Sequence, residues 1–251
     1  MIDTHCHIYE EYYDDITLLI DKIKKNGINK VIINGCDMKS NLEVLELVKK
    51  YDIVYGALGF HPTEEHSDIN ECMDFLEKHL CDKKIVAVGE IGLDYHYDNT
   101  DKEKQIDIFK RQLDIASRFN KPVIVHTRDS LGDTYNILSM YKLRGSIHAY
   151  SGSLEMAKKF INLGYLIGIG GVCTFKNAKN IVNVIENINI EYILLETDSP
   201  YLTPVPFRGQ INTPINLIYI AKKISELKNI NYNDVKRITN DNAIRLFDIS
   251  D

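Results

Sequence analysis

The chain has 251 residues and a formal net charge of −6, with 44% hydrophobic and 26% charged residues. This length suits one large core, and the composition is that of an ordinary globular protein. The net negative charge excludes a protein that coats nucleic acid through a cationic surface, so any attraction for phosphates must be local.

The N-terminal segment has neither the basic region nor the apolar stretch of a signal peptide. No apolar run approaches the roughly 18 residues of a membrane-spanning helix. The cysteines are scattered, without the paired spacing of a metal or redox motif, at positions 6, 36, 72, 81 and 173. We therefore expect reduced thiols, a cytoplasmic location, no membrane contact and no obligate protein partner.

Short β-branched runs alternate with longer amphipathic stretches along the chain. The runs predict strands at 2–7, 30–34, 53–59, 85–91, 122–126, 145–148, 165–169 and 192–196. The segments between them have the apolar spacing of helices, as at Ile106, Phe109 and Leu113. Two more helices are predicted after the last strand, at 215–227 and 232–246.

Eight strands separated by helices predict an α/β fold of the (β/α)₈ TIM-barrel type, which we expect to form one domain over residues 1–251. An open, doubly wound sheet is the alternative architecture. It is disfavoured because no GxGxxG motif follows the first strand. In a barrel the C-terminal ends of all strands meet at one mouth, so polar residues at those ends are candidates for a site.

Two of the predicted strands end in residues that suit a metal. His5 and His7 lie on the first strand, where alternate residues point to the same face, so both imidazoles can reach one ion. Two incidental histidines are the alternative interpretation. Glu90 ends an apolar strand, where a carboxylate is costly to bury unless a metal or another cation accompanies it. A structural ion pair is the alternative for Glu90.

Three further polar residues continue this pattern. His126 and His148 each end a predicted strand, and Asp198 follows the last one. Each alone is more often a satisfied polar residue than a ligand, but six such groups at one mouth favour a metal centre. One metal takes three or four protein ligands, so we predict two divalent cations that share Glu90. The mixed donors leave the metal open among Zn²⁺, Mn²⁺, Ni²⁺ and Mg²⁺.

Motifs in the same order along the chain resemble those of the TatD family of metal-dependent DNases, a branch of the amidohydrolase superfamily. They are DTHCH near the start, GFHP at 59–62, GEIGLDY at 89–95, PVIVHTRD at 122–129, HAYSGS at 148–153 and ETDSPYLTPVPFRG at 196–209. The match extends from residue 3 to at least residue 214. The resemblance implies a TIM-type barrel that hydrolyses DNA phosphodiester bonds with two metals.

The resemblance also implies a role for each ligand. In the family pattern one metal is bound by His5, His7, Glu90 and Asp198, and the other by Glu90, His126 and His148. Asp198 is in addition the expected acceptor of the proton from the attacking water. After Arg208 and a glycine the family commonly has a basic residue followed by Asn-Glu-Pro, whereas this chain reads QINTP at 210–214. This departure leaves the substrate contacts open.

Candidate substrate contacts lie close to these ligands. His61 ends the third predicted strand, and Arg128 and Arg208 follow ligand strands, so they are candidates to hold substrate; loop-bracing ion pairs are the alternative for the arginines. Aromatic residues after the strands are expected either to stack bases or to pack loops, at Phe60, Tyr95, Tyr150, Phe175, Tyr201 and Phe207. Stacking favours a DNA substrate cut from single-stranded 3′ ends, as by an exonuclease.

Two other functions stay open. A metal-dependent hydrolase of a carbonyl centre, such as an aminoacyl-tRNA ester, an amide or a lactone, uses the same kind of metal pair. Many such relatives in the superfamily bridge their metals with a modified lysine, at the position where Glu90 stands here. A non-catalytic metal-binding protein is the other alternative, but it has no need of a base such as Asp198.

Overall fold

The computed structural model describes residues 1–66 and 68–249. The strands are β1 (Ile2–Cys6), β2 (Lys30–Asn34), β3 (Val54–Leu58), β4 (Ile85–Asp94), β5 (Val123–Arg128), β6 (Gly145–Ile147), β7 (Tyr165–Ile169) and β8 (Ile193–Leu195). The helices are α1 (Ile16–Lys25), α2 (Met38–Lys50), α3 (Ile69–His79), α4 (Lys102–Arg118), α5 (Leu131–Leu138), α6 (Leu154–Asn162), α7 (Lys179–Asn187), α8 (Leu217–Lys228) and α9 (Tyr232–Phe247). The strands agree with the predicted ones to within two residues, except that β4 continues to Asp94.

The helices begin and pack as their sequences predict. Six of them follow an Asp, Ser or Asn whose side chain accepts a backbone N–H of the first turn, at Asp15, Asp37, Asp68, Asp101, Ser153 and Asn231. Their apolar stripes face the sheet and are buried there. Within the described residues, no helix has both the length and the apolar character that a membrane span requires.

The sheet is a closed parallel barrel. Its strands pair in the order β1 to β8, each parallel to the next. The segment after β8 then lies against β1, where Cys6 pairs with Ser199 in parallel. The N–H of Asp198 donates to the carbonyl oxygen of His5 at 2.9 Å. The (β/α)₈ barrel is therefore confirmed, and the open doubly wound sheet is excluded.

The barrel interior changes character along its axis. Near the N-terminal ends of the strands it is filled by a small apolar cluster that draws on seven strands, at Ile2, Ile32, Ala57, Ala87, Ile124, Leu166 and Leu194. Leu246 and Phe247 of α9 pack against this cluster and close that end. The next inward position on three of the same strands, two residues later, carries His126, Gly168 or Glu196. Polar groups are thus collected at the C-terminal mouth.

Candidate metal centre

A change of register in β1 places its two histidines. The pairing of β1 with β2 shifts between Asp3 and Cys6, and an irregularity of this kind re-aims side chains. The Nε2 atoms of His5 and His7 lie 3.1 Å apart. The Nδ1 atom of His7 lies 3.0 Å from the carbonyl oxygen of Asn34, which can only accept, so Nδ1 carries the proton. His7 therefore directs the lone pair of Nε2 into the site.

A second register shift places Glu90. It lies in β4 between Val88 and Ile91, where the pairing with β5 is irregular, and only 3% of its surface is exposed. The neighbouring strand approaches closely here, since a Cβ atom added to Gly59 would lie 2.6 Å from the carbonyl carbon of Gly89. A glycine at position 59 therefore lets the Glu90 backbone sit deep in the mouth.

The two carboxylate oxygens of Glu90 face different histidines. Oε2 lies 3.3 Å from His5 Nε2 and 3.6 Å from His7 Nε2. Oε1 lies 3.0 Å from His126 Nδ1 and 3.3 Å from His148 Nε2. Glu90 thus stands between two pairs of imidazoles, with one oxygen directed to each pair.

Asp198 joins the first of these pairs. Its Oδ1 lies 3.7 Å from His5 Nε2 and 3.6 Å from His7 Nε2. Its backbone has a φ of 54°, in the left-handed region that aspartate tolerates better than most residues. The neighbouring Thr197 fixes this conformation, because its hydroxyl donates to the buried carboxylate of Asp3 at 2.6 Å.

Burial opposes the ionisation of these carboxylates, and the histidines reverse its effect. Burial alone would raise the pKa of Glu90, but the charges of His148, His61 and His5 hold it well below its usual range. Asp198 is likewise buried, and its pKa is lowered by neighbouring histidines. Burial and the charge of His148 lower the pKa of His5. Both carboxylates are therefore ionised, while His5 is neutral and free to act as a ligand.

The donor set fits divalent metal ions. Among the described residues, neither Glu90 nor Asp198 is paired with a lysine or arginine, so no fixed cation supplies the positive charge that two buried carboxylates need. Ligands of one tetrahedral ion lie roughly 3.4 Å apart when each bond is about 2.1 Å long. The nitrogen and oxygen atoms around Glu90 have this separation. Three overlapping groups combine them: His5 with His7 and Glu90, His5 with His148 and Asp198, and His61 with Glu90 and His126.

Two carboxylates that the sequence motifs contain, but to which we assigned no role, support the histidines. Asp94 Oδ2 lies 3.1 Å from His126 Nε2. Glu196 Oε1 lies 3.4 Å from His148 Nδ1 and also accepts the N–H of Ala149 at 2.5 Å. Burial lowers the pKa of His148, but the carboxylates of Glu90 and Glu196 outweigh it and raise the pKa to about 10. Partners of this kind fix the orientation of ligand histidines. Sequence reasoning could have identified both acids from their position at the C-terminal end of a strand.

His61 and Cys36 lie closer to the centre than the sequence indicated. His61 Nε2 is 3.4 Å from Glu90 Oε1, which places His61 among the ligand groups as well as beside the substrate space. Cys36 Sγ is 3.8 Å from Glu90 Oε2 and 3.9 Å from His7 Nδ1. Burial raises the pKa of the Cys36 thiol to about 11. Cys36 stands outside the matching motifs, so no sequence signal pointed to it.

The centre opens into a cavity of about 530 Å³ at the mouth of the barrel. Residues that line it beyond the candidate ligands include Tyr9, Tyr12, Cys36, Tyr97, Arg128 and Tyr201. The rings of Tyr12 and Tyr201 lie edge to face, with their hydroxyl groups 2.8 Å apart, and Tyr201 is 48% exposed. In contrast, Phe60 and Tyr150 are buried, so the packing interpretation holds for these two aromatic residues.

The two candidate arginines occupy different places. Arg128 lines the cavity, and its guanidinium carbon is 6.0 Å from the centre of the Tyr97 ring. Arg208 lies outside the cavity, over the ring of Phe175 at 3.8 Å. It lines a second, shallower depression on the same mouth. The structure therefore separates two residues that the sequence treated alike.

Comparison with known proteins agrees with this geometry. The family model described as TatD related DNase matches residues 2–248. The uncharacterized metal-dependent hydrolase YabD of Bacillus subtilis (strain 168) is 35% identical over 254 residues, which cover 100% of both chains. The uncharacterized metal-dependent hydrolase YcfH of Escherichia coli (strain K12) is 32% identical over 256 residues, which cover 99% of this chain and 96% of YcfH. The crystal structure of YjjV, a TatD homolog from Escherichia coli K12, has a TM-score of 0.93 at 32% identity and covers 99% of this chain and 98% of its own.

Proposed function

The chain belongs to the TatD-related DNase family and is a metal-dependent hydrolase, and from this premise we propose that it hydrolyses the phosphodiester bonds of DNA with two divalent metal ions. The observation that supports this most directly is the position of Glu90. Its Oε2 faces His5 and His7, and its Oε1 faces His126 and His148. A carboxylate shared in this way suits two adjacent cations, the arrangement used for in-line displacement at phosphorus.

The ligands divide into two sets around Glu90. His5, His7 and Asp198 with Glu90 Oε2 would hold one ion, and His126 and His148 with Glu90 Oε1 would hold the other. When bound, the two ions supply positive charge for the phosphate oxygens and lower the pKa of water. Zn²⁺, Mn²⁺ and Ni²⁺ suit the imidazole-rich set, and Mg²⁺ is less natural there.

The protein groups orient and accept protons around these ions. Asp198 is ionised and lines the cavity, so its carboxylate accepts the proton of a water that attacks phosphorus. Asp94 and Glu196 keep the rings of His126 and His148 in position. Arg128 lies on the cavity wall and makes no ion pair within 4 Å in the described part of the chain, so its guanidinium is available to hold a phosphate oxygen.

The cavity favours a strand end over a closed duplex. Its volume of about 530 Å³ lies in the range of cavities that enclose one small molecule, so it suits one terminal nucleotide. The exposed ring of Tyr201, beside His7, offers a surface on which the terminal base stacks. We therefore expect 3′ to 5′ exonuclease action on single-stranded DNA.

The test is hydrolysis of end-labelled single-stranded DNA with Mn²⁺, Zn²⁺, Ni²⁺ and Mg²⁺ in turn. We expect stepwise shortening from the 3′ end by the unaltered protein and a loss of at least about 1000-fold in Glu90→Gln. Glu77→Gln is the matched control, because Glu77 pairs with Arg118 on the outside of the barrel. Full activity of Glu90→Gln, or no cleavage with any of the four metals, contradicts the proposal.

An aminoacyl ester is the second candidate substrate, and one observation favours it. Glu11, Glu43 and Glu64 line one wall of the cavity, and a carboxylate wall suits a protonated amino group better than a second phosphate. The same preparation is therefore assayed with aminoacyl-tRNA and with a lactone. Hydrolysis of either one without hydrolysis of DNA selects the carbonyl-centre hydrolase.

A further inference from the structure

The arginines of the chain fall into two groups. Five of the seven donate to a side-chain or carbonyl oxygen, at Arg111, Arg118, Arg144, Arg237 and Arg245. Within residues 1–66 and 68–249, the guanidinium groups of Arg128 and Arg208 have no hydrogen bond and no ion pair within 4 Å, and each lies over an aromatic ring. Both are at the C-terminal mouth. Since Arg128 already belongs to the metal cavity, Arg208 is the cation whose position the proposed reaction does not explain.

Arg208 belongs to a surface that we call the distal patch, defined as Phe175, Lys176, Asn177, Val205 and Arg208. These residues line a depression of about 380 Å³, and none of them is acidic. The guanidinium carbon of Arg208 lies 3.8 Å from the centre of the Phe175 ring. A guanidinium at this distance from a ring, with no hydrogen bond to the protein, has its N–H donors free for a phosphate and its outer side free for a base.

The distal patch lies on the same mouth as the metal cavity. Phe175 comes from the loop after β7, and Arg208 comes from the loop after β8, which also carries Tyr201 of the cavity wall. The two loops are joined, because the N–H of Val205 donates to the hydroxyl of Thr174 at 2.9 Å. A strand that leaves the cavity past Tyr201 therefore reaches the patch over one connected surface.

The charge on the rim after β1, β2 and β3 directs a strand toward the patch. The cavity wall that follows β1, β2 and β3 carries four acidic side chains that are not ligands, at Glu11, Asp37, Glu43 and Glu64. The lysine on that wall, Lys39, is paired with Glu11 at 3.5 Å. Phosphates that leave the cavity on this side are repelled, whereas those that leave between β7 and β8 meet Lys176 and Arg208.

We propose that the distal patch is a second nucleic-acid subsite, which binds a nucleotide further along the single strand whose end is cut at Glu90. Arg208 and Lys176 bind its phosphate, and the base stacks on the guanidinium that Phe175 supports. This inference rests on the proposed DNase function. It also gives that function a direction, because the side of the cavity at β7 and β8 carries Lys176 and Arg208, whereas the side after β1, β2 and β3 is acidic.

The test compares a dinucleotide, which extends only one nucleotide beyond the metal cavity, with a single-stranded decamer that extends to the distal patch. In Arg208→Ala, we expect the KM for the decamer to rise about tenfold more than the KM for the dinucleotide, since one stacking or phosphate contact has this size. Arg208→Lys should recover part of the difference. Arg237→Ala is the matched control, because it removes the same charge from α9, where Arg237 pairs with Asp234 and Asp241.

Salt dependence separates binding from a structural role. Each lost phosphate contact lowers the slope of log KM against log salt by about 0.7 for a single strand. We expect this decrease for Arg208→Ala with the decamer and no change for Arg237→Ala.

Three outcomes are distinguishable. A selective effect on the decamer supports the subsite. Equal effects of Arg208→Ala on both substrates, or no effect on either, overturn the subsite but leave the phosphodiesterase intact. Failure of the unaltered protein to cleave either substrate overturns both.

Discussion

The two ends of the barrel are made from the same strands but serve different purposes. At the N-terminal end, inward residues such as Ile124 and Leu194 form an apolar cluster that α9 closes with Phe247. Two residues further along the same strands, His126 and Glu196 belong to a ring of titratable groups. The inside of one sheet is thus divided into a stabilising end and a reactive end, as is general for TIM-type barrels.

Local backbone strain is one feature of the reactive end. Four residues other than glycine have a positive φ in the loops that follow strands, at Asp129, Ala149, Asp198 and Leu202. Conformations of this kind cost about 1–3 kcal/mol each, and buried carboxylates add to that cost. The packing of the apolar end must offset the free-energy cost of the strained backbone and of the buried carboxylates. We therefore expect substitutions at one end to change stability and substitutions at the other to change activity and metal binding.

The largest expected effect is on stability and comes from Phe247→Ala. Removal of this buried ring from the closed end should lower the free energy of unfolding by about 3–5 kcal/mol, because it leaves a cavity in the apolar cluster. Denaturant unfolding measures the change, and Leu42→Ala, at an exposed position, is the control. The rate per folded molecule should stay the same. A loss of activity in Phe247→Ala without a loss of stability would contradict the division of the barrel into a stabilising end and a reactive end.

Metal removal should have the next largest effect on stability, and it acts at the C-terminal mouth of the barrel. A chelator should lower the free energy of unfolding by about 3–4 kcal/mol in total, relative to protein with each of the two ions at about 20 times its dissociation constant. The shift should shrink in Glu90→Gln and remain unchanged in Glu77→Gln. Thermal unfolding with and without chelator measures it. An equal shift in Glu90→Gln and in the unaltered protein would place the metal elsewhere.

Gly168→Ala tests the support of His148 without altering a ligand. A Cβ atom at position 168 would lie 2.3 Å from Glu196 Oε2, so the buried carboxylate must move away from His148. We expect activity to fall by about 10- to 100-fold, the usual range for loss of a partner that orients a ligand. Gly132→Ala is the control, because nothing lies within 4 Å of its added Cβ. Unchanged activity in Gly168→Ala would show that Glu196 does not orient His148.

Asp94→Asn should have the smallest effect of the four. The amide keeps an oxygen near His126 Nε2 but loses the charge, so the affinity for the ion at His126 and His148 should fall by about tenfold. Calorimetric titration with Zn²⁺ measures the affinity, and Asp107→Asn on the outer face of α4 is the control. A loss of the same size at both ions would mean that Asp94 acts on the whole mouth.

The sequence predicted the barrel and the residues at its mouth because both depend on periodicities of short range. A short run of consecutive β-branched residues marks β5 and its end at His126, and the helical stripes mark the crossovers. Register irregularities in β1 and β4 could not be predicted, since they arise from pairing between strands. The contacts of Asp94, Glu196 and Cys36 with the histidines depend on this register, so only the structure shows them.

The paths of the loops explain why Arg128 and Arg208 lie in different places, which the sequence did not predict. The sequence placed Arg128 and Arg208 in one class because both follow ligand strands. Arg128 lies at the end of β5 and stays near the cavity, whereas Arg208 follows twelve residues of loop after β8 that lead it onto Phe175. No local pattern in residues 201–209 encodes the position of that ring.

The most direct test is the number of metal ions at which activity saturates. Metal-free protein is titrated with Mn²⁺ or Zn²⁺ while cleavage of end-labelled single-stranded DNA and bound metal are measured together. We predict that the rate reaches its maximum at two ions per chain and that Glu90→Gln fails to bind the second ion. A maximal rate at one ion per chain, or two tightly bound ions in Glu90→Gln, would contradict the shared carboxylate.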